Sequence, residues 1–212
     1  MGFFDKVDMT KKSTVPANIN LKKSGDSHTI DLRKKTSEIL VNLNWKTVIE
    51  KKGFLGMLSK ENIDLDLGCM YRLKSGRQGV IQALGNSFGS TISEPYIALD
   101  KDDRTGQSTD GENLRFSKPE LLDFAVIFAF IYEGAPNWGA ANGIVTVQQE
   151  ESPDIVINLN DPDNGKIMCG LVTAENKGGS LVITKHEKYY HGHEYLDKAF
   201  GFGFNWVEGS KD

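Results

Sequence analysis

The chain has 212 residues, of which 39% are hydrophobic and 25% are charged, and its formal net charge is -4 at pH 7. This composition is typical of a globular protein that can bury a core, and it excludes a globally disordered chain. The acidic balance also argues against a nucleic-acid-binding protein, because neutralising phosphates requires a basic excess.

The charge is unevenly distributed along the chain. Residues 1–60 carry 12 basic and 6 acidic groups, whereas residues 94–112 carry 2 basic and 6 acidic groups. This short acidic window has the same net charge as the whole chain. Such a window is either a solvated acidic loop or a cation site.

The cysteines and the apolar runs indicate the compartment. Cys69 and Cys169 lie in separate apolar stretches without metal-like spacing, so we predict buried thiols in a reducing cytoplasm. The N-terminus has no run typical of a signal peptide, and the most apolar run, residues 124–132, is much shorter than the roughly 20 residues of a spanning helix. We therefore expect a cytoplasmic protein, either free or peripheral at the inner face of the membrane.

In chain order, residues 1–17 are predicted to be a basic N-terminal extension, and residues 18–212 a single domain. Short apolar or alternating runs recur through that domain, separated by turns rich in Gly, Asn, Asp and Pro. The runs predicted as strands are 39–45, 63–73, 79–84, 95–99, 121–132, 143–148, 155–159, 167–174 and 180–185. Many short strands without a long helical period predict an all-β fold, a two-sheet antiparallel β-sandwich.

Asp64 and Asp66 are the first candidate ligands. They alternate with Ile63, Leu65 and Leu67, so a strand would place both carboxylates on one face, about 6.6 Å apart. Asp is a poor strand former, and two in the centre of one strand favour a ligand role over a merely solvated face.

A second acidic segment follows at residues 100–113. It gathers five carboxylates within 13 residues together with Gly and Ser, so that oxygen ligands could fold around a common centre. A hard cation is the usual partner of such a set, and calcium tolerates irregular loop geometry better than magnesium does. The spacing does not fit an EF-hand, because Arg104 and Gly111 stand where acidic ligands are required. A solvated acidic loop is the alternative interpretation.

Several motifs together resemble the bacterial TerD superfamily, and within it the TerA-type tellurium-resistance branch. The resemblance covers residues 18–210. The motifs are VNLNW (41–45), DLDLGCMY (64–71), GVIQALGN (79–86), PYIALDKDDRTG (95–106), GEN (111–113), FAFIYEGA (128–135) and FGFGFNW (200–206). The aspartate strand and the DDRTG segment with its following acidic pair are specific in combination, whereas the other runs are typical of a sandwich core.

The resemblance implies a calcium-binding β-sandwich without catalytic activity, acting in tellurite and general chemical-stress resistance. It also implies partners among the other proteins of the same operon, with the membrane surface as an alternative, and no small-molecule substrate. One to three Ca²⁺ ions are implied, and we expect two. The implied ligands are Asp64, Asp66, Asp102, Asp103, Asp110 and Glu112, with Asp100 as an additional candidate.

Two other functions remain open at the level of sequence. In a metal-dependent hydrolase, the same carboxylates would hold Mg²⁺ or Ca²⁺, and His191 or Glu133 would be the candidate acid or base. Direct binding of an oxidised tellurium species is disfavoured, because carboxylates repel the tellurite anion and buried thiols are unreactive.

Three further features are interpreted as structural. His186, His191 and His193 are predicted to be packing or surface residues rather than a transition-metal site. The run 200–206 alternates aromatic residues with glycine and is predicted to be a core strand. Trp138 is predicted to be exposed in a loop, where it could contact a partner.

Overall fold

A computed structural model describes residues 17–33, 38–46, 48–52, 58–100, 111–134, 136–150, 152–159, 162–163 and 165–209, with the backbone alone for residues 48–52 and 58–62. The strands are β1 (Ile19–Asn20), β2 (Ser27–Asp31), β3 (Ile39–Asn44), β4 (Val48–Lys52), β5 (Leu58–Asn62), β6 (Asp64–Leu73), β7 (Gln78–Ile81), β8 (Gly89–Ser90), β9 (Ile97–Leu99), β10 (Glu112–Phe116), β11 (Leu122–Glu133), β12 (Ile144–Gln149), β13 (Ile155–Asn158), β14 (Met168–Lys177) and β15 (Ser180–Tyr190). The two α-helices are α1 (Trp138–Ala141) and α2 (His193–Phe200).

The strands form two large sheets and one hairpin. Sheet A has the order β1-β13-β12-β3-β10-β9-β8, and sheet B has the order β2-β15-β14-β11-β6-β7. Among the described strands, the pairs are antiparallel except β1 with β13. Strands β4 and β5 pair only with each other among the described strands. The predicted two-sheet β-sandwich is therefore confirmed.

Two hydrophobic clusters explain the strand patterns. The main cluster fills the space between the sheets and includes the alternating Ile39, Val41 and Leu43 of β3. The second cluster lies on the outer face of sheet B, where α2 and the residues after it cover the strands. Strand β11 contributes to both clusters, which is why residues 124–132 read as a continuous apolar run rather than as an alternating one.

All nine predicted strand runs coincide with strands, whereas polar strands were missed. Strands β2 and β10 have the sequences SHTID and ENLRF, which carry too few apolar residues to stand out. Cys69 and Cys169 are free and buried, as predicted. Residues 1–16 of the predicted N-terminal extension lie outside the described residues, and the division at residue 17 stays a prediction.

The prediction of a core strand at residues 200–206 was wrong. Phe200 ends helix α2, Gly201 follows in the left-handed conformation (φ 71°), and Gly203 also has a positive φ of 77°. These angles are incompatible with an extended strand, so the chain turns and lays its aromatic rings on the outer face of sheet B.

The prediction of an exposed Trp138 was also wrong. Trp138 begins helix α1 and is 1% exposed, and its indole N–H donates a hydrogen bond to the carbonyl of Lys166 at 2.8 Å. In the described part of the chain, no helix is long and apolar enough to cross a membrane.

Candidate metal centre

Three of the predicted ligands, Asp64, Asp66 and Glu112, belong to strands that meet at one end of the sandwich. Glu112 at the start of β10 pairs with Leu43 near the end of β3 in sheet A. Asp64 at the start of β6 pairs with Glu133 at the end of β11 in sheet B. The indole N–H of Trp45, which follows β3, donates to the carbonyl of Ile63, just before β6, and so joins the two sheets at this end.

Strand β6 places Asp64 and Asp66 on one face, as the alternation predicts. Leu65 and Leu67 enter the main core, so the two aspartates share the outer face of sheet B with Met70. Asp66 is 0% exposed, and Asp64 is half-buried. A fully buried carboxylate is expensive unless hydrogen bonds or a positive charge compensate it. Among the predicted ligands that the structure describes, Asp66 is the most deeply buried.

Glu112 reaches from sheet A to the backbone of β6. It is 1% exposed, and its Oε2 accepts a hydrogen bond from the N–H of Leu67. Strand β7 pairs with β6 only from Cys69 to Arg72, so this N–H lies on the side of β6 that β7 leaves uncovered. The structure therefore brings the carboxylate of Glu112 to the residue next to Asp66, although the two lie on different sheets.

Gly111 permits this approach. Its φ is 65°, and a Cβ atom at this position would lie 2.1 Å from the carbonyl oxygen of Leu43. No side chain fits in that space, so the chain can enter β10 this close to β3 only with glycine. Gly111, which stands where an EF-hand would need an acidic ligand, thus positions Glu112 instead.

Asp100 lies apart from this pair. Its N–H donates to the carbonyl of Asn113, and its carboxylate accepts from the Nε of Arg115 at 2.8 Å. Arg115 also donates to Glu38, and hydrogen bonds to Glu38 and then to Asp100 raise the pKa of its guanidinium. Because Arg115 alternates with the buried Leu114, the ion pair lies on the outer face of sheet A, whereas Glu112 faces inward.

The remaining predicted ligands, Asp102, Asp103 and Asp110, lie outside the described residues. Within the ranges that the structure describes, no three His, Cys, Asp or Glu side chains converge as a metal-binding group. The buried candidate ligands, Asp66 on the outer face of β6 and Glu112 on its inner side, are carboxylates, and this chemistry suits a hard cation such as calcium rather than a soft metal. A complete centre would need oxygen ligands from residues 101–110, which join Asp100 to Gly111.

The candidate acids and bases of the hydrolase alternative, and the other histidines, lie in different parts of the structure. Glu133 is exposed and lies in register with Asp64. His191 is exposed, and its ring contacts Tyr195. His186 accepts or donates a hydrogen bond with the hydroxyl of Tyr190 at 2.8 Å, and His193 packs against aromatic rings of the second cluster.

Burial lowers the pKa of His193 to about 4. The pKa of His186 is also lowered to about 4, mainly by burial and to a lesser extent by repulsion from Lys188. Both rings are therefore neutral near pH 7 and pack as aromatic groups. This agrees with the prediction that they are packing residues.

Sequence reasoning missed two buried charged residues. Lys185 is 1% exposed, and Asp197 is 3% exposed. A signal existed for Lys185, because it continues the inward alternation of Leu181 and Ile183 along β15. Asp197 lies in a helix that was not predicted, so its position could not be inferred.

These features define a class of protein: an all-β sandwich of two sheets with a buried carboxylate on each sheet, Asp66 and Glu112, near one end. No family model matches the chain. The chain is 42% identical over 188 residues to a curated protein from Alcaligenes sp. named "Tellurium resistance protein TerA", an alignment that covers 86% of this chain. The chain spans 56% of the length of that relative. Together with the fold and the motifs, this similarity supports membership of the chain in the TerD superfamily.

Proposed function

We propose that the chain is a calcium-binding β-sandwich module that acts in resistance to tellurite and other chemical stress. The observation that carries the proposal is the hydrogen bond from the Leu67 N–H to Glu112, which brings a buried carboxylate of sheet A to the strand that carries the buried Asp66. The name of the 42% identical relative supports the role in tellurium resistance. The same name denotes a resistance protein rather than an enzyme, which supports a binding function over catalysis.

The chain's own residues would divide the work at this site. Asp66 and Asp64 would supply carboxylate oxygens from β6, and residues 101–110 would supply Asp102, Asp103 and Asp110. Glu112 would hold the edge of β6 through the Leu67 N–H and so keep the two sheets in register. Bound calcium would neutralise the carboxylate charge, which makes binding and folding stability interdependent.

Calcium titration by calorimetry tests this proposal. The wild type should bind calcium, and Asp66→Asn should weaken binding at least about tenfold, because it removes a charged ligand. Asp123→Asn is the matched control, since Asp123 lies near the opposite end of β11 and pairs with Arg72. Asp100→Asn shows whether the carboxylate that accepts from Arg115 contributes to calcium binding.

Thermal unfolding supplies a second measurement. At a calcium concentration of about 100 Kd, binding adds about 2.7 kcal/mol of stability, equivalent to a rise in Tm of roughly 5–10 °C for a chain of this size. EGTA should reverse the rise. Purified protein without calcium, no heat of binding and an unchanged melt in EGTA would together contradict the proposal.

We further propose that calcium binding presents a surface to another protein of the same resistance operon, with an anionic membrane as the alternative partner. The basic residues of the first 60 positions would then face an acidic partner surface. Co-sedimentation with phosphatidylserine vesicles, with calcium or with EGTA, distinguishes the two. Calcium-dependent sedimentation would favour the membrane, and its absence would favour a protein partner.

A further inference from the structure

Residues 201–209 form a strap over the outer face of sheet B. The strap follows helix α2 and has no strand pairing among its described residues. Its rings, including Phe202, Phe204 and Trp206, pack on the second hydrophobic cluster. Phe202 and Phe204 stack at 5.4 Å, and Trp206 lies 5.0 Å from the ring of His193. The strap therefore covers an apolar sheet face without belonging to the sheet.

One residue anchors this strap. The carboxylate of Asp197 accepts hydrogen bonds from the N–H of Gly203 at 2.7 Å, the N–H of Phe204 at 2.8 Å and the indole N–H of Trp206 at 2.8 Å. Its backbone carbonyl accepts from Gly201 at 2.7 Å. Four of the five hydrogen bonds described for the strap thus end on Asp197.

The fifth bond, from Gln78 Nε2 to the carbonyl of Phe202 at 3.0 Å, is the one that reaches sheet B. Asp197 itself stands in the last turn of α2, where a negative charge opposes the helix dipole. A carboxylate at this position destabilises the helix itself. Its hydrogen bonds to the strap compensate this cost.

A polar atom beneath the strap opposes closure. Nε2 of His193 is buried and has no hydrogen-bond partner among the described residues. The ring lies between Trp206 above and the rings of Phe128 and Phe130 below. A buried nitrogen without a partner loses its hydration, so exposure to water would favour an open strap. The hydrogen bonds to Asp197 and the packing of the strap rings offset this cost in the closed strap.

We propose that the strap opens as a unit while the sandwich stays folded, with Asp197 as its latch. Opening breaks the hydrogen bonds to one carboxylate and exposes the part of the apolar outer face of sheet B that the strap rings contact, including Phe124. The sheets keep their own backbone ladders and the main core between them, because neither involves the strap.

The three tryptophans provide the test. Their indole N–H groups donate to different acceptors: Trp45 to Ile63, Trp138 to Lys166 and Trp206 to Asp197. Hydrogen exchange of the full chain, followed by NMR, should show the Trp206 indole exchanging at least about tenfold faster than the other two, since local opening needs less free energy than global unfolding. A common opening free energy for all three indoles would overturn the proposal.

Asp197→Asn sharpens this test. It should accelerate exchange of the Trp206 indole and of the Gly203 and Phe204 amides at least about tenfold, while Trp138 changes less than about twofold. Glu194→Gln, one turn earlier on α2, is the matched control and should change none of these rates. If the exchange rate of the Trp206 indole is unchanged in Asp197→Asn, the carboxylate of Asp197 does not hold the strap closed.

A second variant covers the case in which Asp197→Asn does not fold. Trp206→Phe keeps the carboxylate and removes one of its donors. The amides of Gly203 and Phe204 should then exchange about threefold faster, while the indole of Trp138 keeps its rate. Equal acceleration at Trp138, or none at Gly203, contradicts the proposal.

Discussion

Lys185 Nζ lies 2.7 Å from Oε2 of Glu187 inside the sandwich, and both side chains are almost fully buried. The ammonium also donates to the carbonyl of Lys22 at 3.1 Å and to the carbonyl of Asn158 at 2.8 Å. Its three donors are therefore matched by three acceptors, which come from sheet B, from the end of β13 in sheet A and from the segment after β1. A single cation thus ties both sheets together.

Removing this cation should be strongly destabilising. Lys185→Met leaves the carboxylate of Glu187 buried without its ammonium, so we expect a loss of about 3–5 kcal/mol in the free energy of unfolding. Urea denaturation measures it. Lys177→Met is the control, because Lys177 is exposed and its pair with Glu175 is worth less than about 1 kcal/mol.

The double variant separates charge from packing. Lys185→Met combined with Glu187→Gln should recover part of the loss, since no buried charge then remains. If the double variant is as unstable as the sum of the two single variants, the ion pair is not the source of the effect.

Gly111→Ala should be more damaging than Gly76→Ala. Both glycines have positive φ, so each alanine costs about 1 kcal/mol of backbone strain. The added methyl group at Gly111 would lie 2.1 Å from the carbonyl oxygen of Leu43, whereas nothing lies within 4 Å at Gly76. We expect an additional loss of about 1–3 kcal/mol for Gly111→Ala in urea denaturation.

The same pair of variants tests the site. Gly111→Ala should also weaken calcium binding, because it displaces Glu112, and Gly76→Ala should leave the affinity unchanged. Equal stability and equal affinity of the two variants would show that the approach of Gly111 to Leu43 is unimportant.

Stability should fall in mild acid because of His193. Its pKa is about 4 in the folded protein, against about 6.5 for an unperturbed histidine, as a result of burial. Above pH 6.5 the ring is neutral in both states, and between pH 6.5 and 4 the unfolded state binds the proton more readily. The free energy of unfolding should therefore decrease on the order of 2 kcal/mol over this range.

The contribution of His193 is measured by comparing variants across pH. His193→Phe should reduce the decrease in stability between pH 6.5 and 4 and leave the part due to His186, whose pKa burial also lowers to about 4, while the exposed His191→Gln should keep the full decrease. An identical pH profile for wild type and His193→Phe would contradict the assignment.

The two thiols should be unreactive in the folded protein. Both are fully buried, and desolvation raises the pKa of Cys69 and of Cys169 well above the usual value. Labelling with Ellman's reagent should be negligible in buffer and should reach two thiols per chain in denaturant. Rapid labelling of the native protein would revive direct reaction of tellurium species with cysteine.

Local sequence patterns determined most of the fold. Alternation with a period of two placed Leu65 and Leu67 in the core and Asp64 and Asp66 on the opposite face, and the structure agrees. The runs predicted as strands were also correct, because inward-facing apolar residues identify a buried strand without knowledge of its partners.

Only the tertiary structure showed which segment covers the outer face of sheet B and which residues contact the buried charged groups. The bond between Glu112 and Leu67 joins residues 45 positions apart and depends on how the two sheets pack, which no local pattern encodes. Residues 201–206 alternate like a strand, yet positive φ angles and the carboxylate of Asp197 turn them into a strap. The sequence thus determined which faces are apolar, because side-chain alternation is local. The partners of the buried charges depend on contacts between distant segments, and only the folded chain could reveal them.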